Sequence, residues 1–141
     1  MRYGCCIAVP AQPLSGTSFE VIEQLAGIGY DYIEFPLVQV MELPENEFNA
    51  LEKHLNRIGI FSEALNVFFP RRIRLTGEQM QWEEVEAYAQ SAIERAARLG
   101  AQIIVLGSAG SRNVPEGFPR ERAWEQLVQV VQRLDLIAEA Y

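Results

Sequence analysis

The chain of 141 residues carries 19 acidic against 12 basic residues, a formal charge of −7, with 49% hydrophobic and 22% charged residues. That composition excludes disordered and fibrous classes and suits one globular domain of about 100 to 200 residues. The acidic balance disfavours nucleic acid and anionic membranes as partners, no apolar run reaches the roughly 20 residues that span a bilayer, and MRYGCCIAVP lacks a secretory layout, so a cytoplasmic chain is expected.

In chain order, RYGCCIAVP reads as a first strand. Its neighbouring Cys5 and Cys6 point to opposite faces of an extended segment, a poor geometry for an internal disulfide. Without a third or fourth soft ligand at metal-site spacing, they are read as small apolar strand residues. Thr17 to Glu20 has the form of a capping box, opening a helix with Phe19, Ile22, Leu25 and Ala26 on one side.

A recurrence then organises the chain. LAGIGYDYIEFPL, LNRIGIFSEALNVFFP and AARLGAQIIVLGSAG each take a helical pattern through glycine into a short apolar strand. Gly29, Gly59 and Gly100 stand where helices end in a left-handed residue. The second helix, Glu45 to Arg57 behind Pro44, carries Phe48, Leu51 and Leu55 at helical spacing. The third, Gln79 to Leu99, repeats Trp82, Val85, Ala89, Ala92, Ile93, Ala96 and Leu99. The fourth, from about Arg120, carries Trp124, Leu127, Val131, Leu134, Ile137 and Tyr141, and these stripes are read as core.

Strand–helix alternation four times over argues for a parallel sheet covered by helices. A doubly wound sheet would show G-x-G-x-x-G after the first strand, where AVPAQPLSGTSFE stands instead. A (β/α) barrel fits better, because the richest loops, 36–44, 66–78 and 107–119, follow strands. A complete barrel takes about 250 residues, so residues 1–141 are expected to be a single (βα)4 domain.

Glu34 interrupts an apolar strand and needs a partner or a substrate hydroxyl, an ion pair inside the barrel being the equal alternative. Asn66, at a strand end, can donate to and accept from a hydroxyl. Glu63 precedes it with a structural role favoured. Ser108 and Arg112 lie in GSAGSR, where backbone N–H groups and a guanidinium suit a phosphate or carboxylate, against a loop arginine paired with Glu116 or Glu121. The basic run Arg71, Arg72 and Arg74 is read as solvated or ion-paired. His54, the only histidine, falls on a helix and is read as a surface residue; it leaves no basis for Ser-His-Asp or Cys-His chemistry.

GYDYIEFPL, EALNVFFP and LGSAGSRNVPEGF resemble the second, third and fourth strand ends of the sugar phosphate isomerase/epimerase superfamily, the xylose isomerase-like TIM barrels. The resemblance runs the length of the chain. It implies an α/β fold, four βα units forming the N-terminal half of a (β/α)8 TIM barrel. It further implies isomerisation or epimerisation of a sugar or sugar phosphate, by proton transfer between adjacent carbons beside a divalent metal (Mn, Mg, Co or Zn).

The family's metal ligands come from strands five to eight, so no cofactor is expected on these residues and the chain alone is expected to be inactive. Substrate contacts are assigned to Glu34, Asn66, Arg112 and Ser108, with no catalytic or metal residue. Two alternatives stand beside this reading: a non-catalytic half-barrel whose exposed edge strands pair two copies as a homodimer, and a self-contained α/β domain binding a small anion through 107–112.

Overall fold

The computed structural model describes residues 1–10 and 19–141. Its elements are β1 (Gly4–Cys6), α1 (Glu20–Gly27), β2 (Tyr32–Pro36), α2 (Leu37–Glu42), α3 (Glu45–Ile58), β3 (Ala64–Asn66), α4 (Trp82–Arg98), β4 (Ile103–Ile104), α5 (Ala109–Arg112) and α6 (Arg120–Ala138). The four strands are parallel in the order β1-β2-β3-β4. Sequence order equals spatial order because each βα unit returns the chain one strand further along the same edge. No described helix is long and apolar enough to cross a membrane.

The glycine recurrence predicts its three turns well. Gly29, Gly59 and Gly100 have φ of 98°, 74° and 84°, a region that side-chain-bearing residues enter at a steric cost. The capping-box Thr17 lies outside the described residues, and α1 has Phe19 at its N-cap.

Period-two alternation sorts the strands into two faces. Ile33, Phe35 and Leu65 are fully buried towards the helices, with Ile22, Phe48, Leu51, Leu55, Ala89 and Ala92 completing the core. The opposite, concave face carries Cys6, Tyr32, Glu34, Asn66, Ile103 and Val105, and there Ile103 and Val105 remain 60% and 44% exposed.

Two side chains of α4 clamp the helix layer. Arg95 donates to the carbonyls of Val40 and Leu43 at 2.9 Å each, which closes the C-terminal end of α2. Arg98 reaches Glu52 at 2.6 Å and Asn49 at 2.5 Å on α3. Both guanidinium groups lie over the Phe48 ring, at 4.6 and 4.3 Å from its centroid.

Three expectations are corrected here. His54 is a buried residue, stacked on Phe19 at 4.0 Å between centroids, because α1 packs across the face of α3 that carries it. Trp124, Val131 and Tyr141 are exposed by 68%, 49% and 54%, and the buried line of α6 runs instead through Ala123 and Val130 with Leu127, Leu134 and Ile137 beside it. The helix has apolar residues on two adjacent stripes, and only packing against α4 selects between them. The segments 36–44 and 107–119 contain the short helices α2 and α5, the first signalled by Leu37 and Val40 at a spacing of three behind Pro36.

His54 gives a pH prediction. Burial foremost, with Arg57 beside it and Glu23 opposing, pushes its pKa below the usual 6.5. The folded state therefore prefers the neutral ring, so the unfolded chain binds more protons and stability falls as pH drops below 6.5 towards the depressed value. In urea unfolding at pH 7, 6 and 5, His54→Phe should flatten that limb; parallel losses in both proteins would refute the assignment.

Candidate functional site

Parallel strands place all their carboxyl ends at one end of the sheet, where a βα fold gathers ligand groups. Cys6 is registered opposite Glu34 on the neighbouring strand, and Asn66 stands opposite Pro36, one diagonal step further along. The Asn66 amide nitrogen donates to Glu34 Oε1 at 2.6 Å and to Cys6 Sγ at 3.2 Å. Cys6, read from sequence as a small apolar strand residue, is thus an exposed hydrogen-bond acceptor on the concave face. Both cysteines are free.

The backbone immediately after Asn66 is unusual. Val67 has φ 48°, a conformation that a β-branched residue adopts only under constraint from its surroundings. Its carbonyl accepts from the Val38 N–H at 3.3 Å, so the exits of β2 and β3 are joined beside the pair. Gln39 accepts from the Val9 N–H at 2.9 Å and joins the exit of β1 to α2. Nothing in residue type or spacing signals the Val67 conformation.

The remaining sequence candidates stand apart from this pair. Ser108 is buried, its hydroxyl accepting from the Phe69 N–H at 2.7 Å, and Ser111 donates to the Pro70 carbonyl at 2.8 Å. The Arg71 side chain lies over Gly110, where an added Cβ would meet its Cγ at 2.5 Å. GSAGSR is thus filled by the chain's own groups and holds the exit of β3. Arg112 is exposed and, among the described residues, forms no ion pair, with Glu116 and Glu121 included.

The other charged candidates have structural partners. Glu63 is bound by Arg2 at 2.5 Å at the opposite end of the sheet, where Asp31 accepts from the Tyr3 N–H at 2.6 Å. Arg72 pairs with Glu84 at 2.8 Å, and Arg74 donates to the carbonyls of Gly110 and Asn113 at 3.0 and 2.7 Å. Among the described residues no three His, Cys, Asp or Glu side chains gather as a metal ion requires.

Four parallel strands in sequence order, backed by helices and carrying a polar cluster at their carboxyl ends, place the molecule among the parallel β/α barrels as a half-barrel. The chain belongs to the xylose isomerase-like TIM barrel family, whose model matches residues 22–141. D-psicose 3-epimerase from Clostridium cellulolyticum H10, solved with D-tagatose, is similar at TM-score 0.70 and 17% identity, the match covering 99% of this chain and 49% of that one.

An AP endonuclease, family 2, from Brucella melitensis superposes at TM-score 0.69 with 14% identity, covering 99% of this chain and 52% of that one. A 3-keto-D-glucoside 4-epimerase from E. coli does so at 0.66 with 10% identity, over 99% and 52% of the two chains. At these identities the likeness is one of fold, and the chain spans about half the length of the solved structures it matches. A comparison with curated protein sequences gave no match.

Proposed function

We propose that this chain is the substrate-binding (βα)4 half of a sugar or sugar phosphate isomerase or epimerase, with Glu34 and Asn66 holding substrate hydroxyls. Proton transfer and the divalent metal are assigned to residues outside these four strands. The observation that carries the reading is the Glu34–Asn66 hydrogen bond of 2.6 Å on the open concave face at the strand ends. A carboxylate and an amide side by side match the vicinal hydroxyls of a sugar. Family membership and the epimerases among the similar folds support the substrate class, and the charge of −7 weighs against the polyanionic substrate of an endonuclease.

Calorimetry with D-tagatose tests it. Saturable binding is expected, weakened about tenfold or more by Glu34→Ala and by Asn66→Ala, in line with loss of a charge-assisted hydrogen bond. With added Mn²⁺ the chain alone should leave the sugar unchanged. Epimerisation by the chain itself would place catalytic residues on these strands and overturn the division of labour.

A second reading is favoured by the exposure of Ile103 and Val105, 60% and 44%, and by a groove of ≈ 510 Å³ between the β4 edge and α6, lined by Phe68, Ile103, Leu106, Val131, Leu134 and Tyr141. A two-fold axis along the barrel would set β4 of one copy beside β1 of the other, parallel, covering both edges. Sedimentation equilibrium should then give twice the chain mass, and Val105→Lys should return the monomer mass. A monomer at all concentrations rules this reading out.

A further inference from the structure

We propose that Cys6 is a positioning residue for the sugar site, one that makes the site present acceptors and thereby select an uncharged polyol over a phosphorylated or otherwise anionic end. The inference rests on the functional reading above and deepens it.

An amide nitrogen has two protons, and a carboxylate donates none, so the nitrogen end of Asn66 must be the one that faces Glu34. Glu34 Oε1 takes the first proton at 2.6 Å and Cys6 Sγ takes the second at 3.2 Å. Among the described residues, the lone pairs left to a ligand are those of Asn66 Oδ1 and the second Glu34 oxygen, and the Cys6 S–H is only a weak donor. Hydroxyl protons complete such a site; phosphate oxygens meet acceptors and a negative charge.

The strand register holds the arrangement, with Cys6 opposite Glu34 and Asn66 opposite Pro36. Arg2 is engaged by Glu63, Arg72 by Glu84 and Arg74 by two carbonyls, and among the described residues no lysine or arginine bonds to Glu34 or Asn66. Removing the Cys6 acceptor frees one Asn66 proton, which turns an acceptor-only site into a mixed one.

The test follows the Asn66 side-chain amide by ¹H–¹⁵N NMR in the full chain, titrated separately with D-tagatose and inorganic phosphate. D-tagatose should shift the signal saturably and phosphate should not. Cys6→Ala should weaken D-tagatose on the order of tenfold and admit phosphate, whereas Cys6→Ser, which keeps an acceptor, should stay within about twofold of the parent. A phosphate shift in the parent chain, or indifference to Cys6→Ala, overturns this inference and leaves the sugar reading standing. If neither probe moves Asn66 in the parent chain, both fall.

Discussion

Phe35→Ala should lower unfolding stability by about 3–5 kcal/mol, the range for truncating a fully buried aromatic ring, and Glu34→Leu one residue away should change it by no more than about 1 kcal/mol. Phe35 is 0% exposed and pairs with the equally buried Leu65 across β2 and β3. Its ring fills the space between the sheet and the helices, so truncation leaves a cavity in the core. Against a total stability of roughly 5–15 kcal/mol for a domain, the loss is a large fraction of the whole. Glu34 faces the open side, so Glu34→Leu should abolish sugar binding while the denaturation midpoint stays near that of the parent. Chemical denaturation and calorimetry on the two variants separate the faces of one strand; similar midpoints for both would mean that the register is wrong.

Arg98→Ala is the second change with a large expected effect, about 2 kcal/mol from the loss of hydrogen bonds to charged partners and of the guanidinium over Phe48. The side chain is 31% exposed and joins the last turn of α4 to Glu52, Glu45 and Asn49 on α3. The hydrogen bond from Arg98, only partly offset by desolvation, holds the Glu52 carboxyl below 4.5; Glu45 is lowered by Arg98 first and Arg95 second.

Carboxyls depressed in the folded state contribute stability that is complete above 4.5 and is lost as pH falls through their folded values. Arg98→Ala should therefore destabilise at neutral pH and flatten the acid limb below about pH 4.5. Guanidinium denaturation would mask an ion pair, so urea is the denaturant to use across pH 3–7. An acid limb as steep as that of the parent would show that Arg98 acts through packing on Phe48 alone.

The two halves of the concave cluster were legible to different degrees. Glu34 is conspicuous because a carboxylate breaks the apolar run YIEFPL, and Asn66 because it precedes VFFP at a strand end. That the two meet depends on register: Glu34 lies opposite Ala64 and Asn66 opposite Pro36, and a slip of one residue would turn Asn66 to the helix side. Cys6 gave no local signal, since its role is to accept a proton from a residue sixty positions away. Ser108 was noticed as a loop hydroxyl, yet its partner is the Phe69 N–H, a contact that exists only once β3 and β4 lie side by side.

Local chemistry alone determined the four strands and the four long helices in their order, the glycine turns at 29, 59 and 100, and the buried stripes of α3 and α4, because helix caps and hydrophobic period act within a few residues of chain. Tertiary structure alone decided the burial of His54 under Phe19, the choice of the Ala123–Val130 stripe over Trp124 and Val131, the strained Val67, and the joining of Cys6, Glu34 and Asn66. Each of these is set by an element distant in sequence arriving at a particular angle and register, which periodicity cannot encode.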